Sequence, residues 1–453
     1  MKVIFLFHFS VLSTCLFSQS LNNATQDYND PIHFTPQLPI KKTVGDVMPF
    51  YWNGEYHIFY LTNPMGNHDV NWEHCSSTDL VNWKEYPPAL KPDPNDPTGP
   101  EGGCMFTGCI TEKDDVFYAW YTSWNPANAD GREFLSLATS SDLINWTKRP
   151  EHRIAPDGIT YANHRNRDFR DPQVFWNENK KEYWMHILAN DASADPDEVG
   201  RGWKFGLLTS KDLIKWEQLP YVKFENAEGD ECPDYFKIGD THYINGCHRY
   251  YYADNIEGPY KHPAFSRTLD IPSIRASKRV WDGKRHVWFG GWSGDVMPMP
   301  REVYAGPVGL LYMKPVEEVY SVYKNKVLDL SEISLPSGEI DVPSYYFLDS
   351  EVTMSTYSKI SFIFGGQYTM TLNSDTQQLS LIGSDFNTTI PCSVDTDKSV
   401  KVQVFIEGPL IECFINDRFP LSVVVKGPLP KKLVIEGRDE NVKIKKLQGW
   451  TVQ

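Results

Sequence analysis

Residues 169–183 read FRDPQVFWNENKKEY. An acid beside an arginine (Arg170, Asp171) is followed by a proline, a short apolar run, and a polar turn into a second aromatic strand. The same grammar occurs twice more, as DVMPFYWNGEYHIFY from Asp46 and ECPDYFKIGDTHYING from Glu231. In each copy a carboxylate stands shortly before the turn: Asp46 before Gly54, Asp171 before Lys180, Glu231 before Gly239. Three repeats that deliver an acid at an equivalent place predict one site assembled by symmetry.

Working outward, the strand–turn–strand pattern recurs five times, with turns at 54, 114, 180, 239 and 283. A second element, STDLVNW, SSDLINW and TSKDLIKW, follows the first three turns and reads as a tight turn with a buried Trp. Five units of roughly 45–65 residues, rich in short strands and nearly free of helical periodicity, predict an all-β five-bladed β-propeller over residues 31–323. Residues 324–338 read as a linker carrying a strand or short helix. From 339 to 453 closely spaced alternating strands (SKISFIF, YTMTL, VKVQVFIE, LIECFIN) predict a two-sheet β-sandwich. Its acids do not stand out from ordinary surface charge.

At 453 residues, two domains are expected. The net charge of -15 argues against a nucleic-acid partner, which requires a basic face. Lys2 followed by the apolar run Val3–Leu12 reads as a secretory leader (1–20), too short to span a bilayer, and predicts a secreted protein. Thr14 disfavours a lipid anchor on Cys15. The remaining seven cysteines are expected to be buried small hydrophobes with one or two bridges. His74 and His248 are read as hydrogen-bonded structural residues rather than ligands. Asp295, in a second G-D-V-M-P, lies after its turn and is expected to play a supporting role.

In a propeller the innermost strands enter from one face, so Asp46, Asp171 and Glu231 should converge. Phe106 and Thr107 from the second unit, and residues near Arg275 from the fifth, should join them. With FRDP, ECP, WEHCSSTDLVNW (from Trp72), GWSGDVMPMPRE (from Gly291) and ECFIND (from Glu412) in this order, the chain resembles glycoside hydrolase family 32. That group comprises invertases, inulinases and levanases. The resemblance runs from His33 to the end. It implies a retaining β-fructofuranosidase with Asp46 as nucleophile, Glu231 as general acid/base and Asp171 as transition-state stabiliser with Arg170 beside it. It further implies that Trp72, Phe106, Thr107 and Trp292 line the sugar pocket and that Cys232 touches the acid/base. The partner is a carbohydrate, and no metal or cofactor is implied.

Retention requires the carboxyls of the nucleophile and acid to stand about 5–5.5 Å apart. Three crowded acids cannot all ionise cheaply, and Glu231, flanked by Asp230 and Asp234, is expected to keep its proton longest. Two departures fall in the site. The family's N-D-P-N-G is Gly45–Pro49 here, and its Gln in the next strand is Leu61. They leave open another furanoside, such as an arabinofuranoside on an inverting family 43-like propeller, or a catalytically inactive sugar-binding protein.

Overall fold

The computed structural model describes residues 32–36, 44–62, 70–195, 202–225, 229–270, 274–292, 296–427, 429, 431–437 and 441–452. The expected leader, Cys15, Ser273 and Asp295 lie outside the described residues, as does the side chain of Trp292.

The described chain is all-β apart from three short 3-10 turns. Five small antiparallel sheets follow one another, four of four strands and one, the fourth, of three. Their first strands are Val47–Trp52, Cys104–Lys113, Phe169–Asn177, Asp234–Ile238 and Ile274–Trp281. Each begins a hairpin whose turn falls where the sequence placed it. Gly54, Gly239 and Gly283 occupy three of those turns with positive φ, a conformation glycine adopts without steric cost.

The D-L-x-x-W element closes the third-to-fourth strand connection in the first three sheets. Ser77 Oγ accepts from the N–H groups of Asp79 and Leu80, and Asp79 Oδ1 accepts from Val81 and Asn82. The same bonds recur from Ser140 and Asp142, and from Ser210 and Asp212. The side-chain oxygens substitute for backbone partners and hold Leu80, Leu143 and Leu213 at φ 63–68°. The three Trp residues are half-buried rather than fully buried.

Neighbouring first strands are tied by side chains. Val174 N–H donates to Cys109 Sγ at 3.1 Å, Gln173 exchanges bonds with the Tyr235 backbone, and Arg279 N–H donates to Asp234. Lys278, fully enclosed, donates across to the Gly108 carbonyl. The fifth strand set meets the first at Gly291, where a Cβ would lie 2.3 Å from the Gly45 carbonyl oxygen; only glycine permits this approach.

Two six-stranded antiparallel sheets follow and share one core, including Val352, Ile360, Phe362, Val404 and Leu421. The segment 324–338 carries a strand, as expected, and that strand belongs to one of these sheets. Tyr323–Ile333 is an edge strand, paired with the last strand, Lys443–Val452. Its outer face is exposed and charged, as edge strands commonly are. The expected disulfides are corrected, since all seven cysteines among the described residues are free.

Candidate active site

Asp46, Asp171 and Glu231 come together, and local backbone geometry aims them. Three of the first strands carry a bulge at this end. Thr107 is the extra residue between Phe106 and Gly108, Asp171 and Pro172 interrupt the pairing after Arg170, and Ala276 and Ser277 interrupt it after Arg275. A bulge turns a side chain out of the regular alternation, and these turn Thr107 and Asp171 toward the same space. Asp171 (φ 61°), Cys232 (φ 54°) and Ala276 (φ 47°) hold left-handed backbone, which costs about 1–3 kcal/mol per non-glycine residue and is characteristic of functional sites. Thr122 Oγ1 supports two bulges, accepting from Asp171 N–H (2.8 Å) and donating to the Thr107 carbonyl (3.2 Å).

Around that frame the contacts are dense. Thr107 Oγ1 donates to Asp46 Oδ2. The buried Cys232 thiol lies 3.5 Å from Asp46 Oδ2 and 3.6 Å from Asp171 Oδ2, and its backbone N–H donates to Asp171 Oδ2 at 3.0 Å. Arg170 reaches Glu231 Oε1 at 2.9 Å and lies 3.7 Å from Asp171. One arginine therefore spans two of the three acids, while a thiol and a hydroxyl link the third to them.

Burial pushes the Asp46 carboxyl above its ordinary value. The Thr107 hydrogen bond pulls it back, Glu231 raises it again, and Cys232 and Lys278 lower it. Burial also raises Asp171, to about 7, with Glu231 and Asp46 adding to the rise and Arg170 and the Cys232 N–H opposing it. Crowding thus adds to burial at both Asp46 and Asp171. The Asp230 carboxylate is occupied by the N–H groups of Glu231, His248 and Arg249, and that of Asp234 by Arg279 N–H.

The Asp171 shift sets a pH dependence. A carboxyl raised on folding stabilises the chain fully below its unfolded pKa, near 3.9, and loses that contribution as pH rises through about 7. Asp171→Asn, whose amide oxygen still accepts from Cys232 N–H, should raise the melting temperature at pH 8 relative to the parent and not at pH 4. Melts at both pH values check this; an equal shift at both would contradict it.

Two expected pocket residues, Trp72 and Cys232, need correction, while Phe106 and His74 stand as expected. Trp72 is fully buried, and its Nε1–H donates to the Phe106 carbonyl at 2.8 Å. It has no open face for a sugar and fixes the strand that carries Thr107. Phe106 is partly open and packs on Trp124 at 5.4 Å. Cys232 reaches Asp46, Asp171 and Thr107 rather than the Glu231 carboxyl. His74, stacked between Phe59 and Tyr86, is lowered to about 3 by burial and stays neutral. Leu61 is buried, and its N–H donates to the Asp46 carbonyl.

The sequence reading missed an outer ring. Arg170 also bonds Asp168 (2.5 Å) and lies 3.3 Å from Glu133, and Asp168 accepts from Arg132 and from Trp203 Nε1–H. The Arg170 guanidinium lies over the Trp203 ring at 5.5 Å. Asp168 was findable, since it stands two residues before Arg170, at the entry to the strand Phe169–Asn177. Glu133 and Trp203 begin third strands with no local signal.

Paired carboxylic acids in one partly open pocket are the equipment of glycoside hydrolysis, one to attack or activate and one to protonate the leaving oxygen. Comparison with known proteins agrees. Residues 33–267 match the model for the glycosyl hydrolases family 32 N-terminal domain. The levanase of Bacillus subtilis is 25% identical over 97% of this chain and 73% of its own. The sucrose-6-phosphate hydrolase of Escherichia coli is 33% identical over 60% of this chain and 61% of its own. The fold of the exo-inulinase from Aspergillus awamori superposes with a TM-score of 0.74 at 19% identity, covering 95% of this chain and 99% of that one. The chain belongs to glycosyl hydrolase family 32.

Proposed function

We propose that the protein is a secreted, retaining β-fructofuranosidase, releasing terminal fructose from sucrose or fructans. In this reading the five small sheets are the blades of a propeller (31–323), and the two six-stranded sheets form a sandwich behind it. The carrying observation is the meeting of Asp46, Asp171 and Glu231 around Thr107, Cys232 and Arg170.

Asp46 attacks the anomeric carbon as the carboxylate, and two side-chain donors on one oxygen and the Lys278 charge behind it work against the burial that raises its pKa. Glu231, partly open to solvent, protonates the leaving oxygen and then activates water. Asp171, enclosed and tied to Arg170, holds sugar hydroxyls as charge develops in the transition state. The named activities of the relatives, levanase and sucrose-6-phosphate hydrolase, support a fructosyl substrate. Leu61 contributes no polar group, so the sugar is held chiefly by Asp171 and Arg170.

Sucrose, inulin, levan and an arabinan, each incubated with purified protein and read for free monosaccharide, test the proposal. Fructose from at least one fructan or sucrose is expected. Arabinose alone would move the specificity to another furanoside, and binding without any release would mark an inactive sugar-binding propeller.

A further inference from the structure

We propose that the chain binds a thiophilic divalent cation, zinc(II) foremost, between Glu231, Cys247 and His248 at the lip of the carboxylate pocket. One ligand atom from each residue lies within 4.8 Å of the others, and all three side chains are partly open to solvent. Cys247 N–H donates to the Glu231 carbonyl at 2.7 Å, which clips the two backbones together. Cys247 and His248 share the connection between strands Thr241–Asn245 and Tyr250–Ala253.

The geometry of the three donors points to a ligand, with the Cys247 sulfur accepting a hydrogen bond from the Cys232 thiol. His248 Nδ1 is held by Asp230 Oδ1 at 2.9 Å, and the other Asp230 oxygen is held by the N–H groups of His248 and Arg249. That contact sets Nδ1–H toward Asp230, the carboxylate–imidazole arrangement that orients metal-binding histidines; the carboxylate also raises His248, so a metal at Nε2 takes the place of a proton that passes to solvent. Arg170 engages Glu231 Oε1, leaving Oε2. A thiolate, an imidazole and a carboxylate make a three-residue zinc donor set, with the fourth position open to water. Zinc bonds of about 2.0–2.3 Å bring ligand atoms to about 3.5 Å from one another, so the site must contract from its 4.8 Å spread on binding. Cys247 faces the Cys232 thiol and the carboxylates of Glu231, Asp230 and Asp46; His248 faces Asp230, Glu231 and the Arg275 charge. On binding, the Cys247 S–H bond breaks, the proton passes to solvent and the sulfur–zinc bond forms.

A metal on Glu231 removes its proton-donating oxygen, so occupancy inhibits hydrolysis; that consequence rests on the role proposed for Glu231. The test uses the full chain, dialysed against zinc chloride and titrated with cobalt(II) chloride. One zinc equivalent is expected, weakened at least about 10-fold in both Cys247→Ser and His248→Gln. A thiolate-to-cobalt absorption band should be present in the parent and lost in Cys247→Ser. No saturable binding in the parent, or unchanged affinity in both variants, overturns the site. Zinc bound with the expected ligand dependence while sucrose turnover continues leaves the site standing and removes the acid role from Glu231.

Discussion

Asp46→Asn will abolish turnover of sucrose while leaving the fold and melting temperature intact, and Glu231→Gln will lower kcat by about 10²–10⁴-fold. The fold should survive the first change because the amide oxygen it introduces still accepts from Thr107 and Cys232, and because burial already disfavours the Asp46 charge. The variants should differ in one respect. A fructoside with an activated leaving group needs little protonation, so it should restore much of the first step to Glu231→Gln and none to Asp46→Asn. Initial rates on sucrose and on the activated substrate, beside circular dichroism, check both. Near-parental sucrose activity in either variant would break the assignment.

Glu412→Ala should destabilise the protein by about 3–5 kcal/mol, the cost of removing one member of a buried ion-pair network. Glu412 Oε1 accepts from Arg301 at 2.6 Å and Oε2 meets His33 at 2.7 Å. Arg301 also pairs with Asp270, and His33 with Glu407 at 2.7 Å, itself bonded by Tyr323. Arg301 and Glu412 have no solvent exposure. The network ties the lead-in at His33, the fifth small sheet and a six-stranded sheet at one point. Burial works to raise the Glu412 carboxyl, but the His33 and Arg301 charges outweigh it and hold it below the usual range. Its contribution is therefore present above the unfolded pKa, near 4.3, and is lost as pH falls through the lower folded value. Denaturant unfolding at pH 7 should show the loss, and the parent should shed the same stability in acid. A Glu412→Ala midpoint within experimental error of the parent would show that the junction does not depend on this pair.

That network explains two sequence signals that looked unconnected. The PRE and ECFIND segments, which carried the resemblance, are the two ends of one buried ion pair, Arg301 with Glu412. The hairpins were legible because aromatic strands and polar turns alternate with a short period, and the three acids because they share a register before those turns. The bulges were not legible: Thr107, Asp171 and Ala276 are not glycines, and their irregular backbone is imposed by neighbouring sheets through groups such as Thr122. Trp72 was misplaced for a related reason. A tryptophan near the site has the same sequence signature whether it faces sugar or packs behind the strand that does. The outer ring around Arg170 needs three separate chain segments, and only Asp168 lies close enough in sequence to be seen.

The central claim is that Asp46 bonds covalently to the sugar while Glu231 serves the leaving group and then water. Glu231→Gln mixed with an activated fructoside should accumulate the intermediate, because its second step lacks the base that activates water. Mass spectrometry of the quenched, digested protein should find one added fructosyl residue on Asp46. The same label on Asp171, or rapid release of product with Asp46 unmodified, would contradict the account.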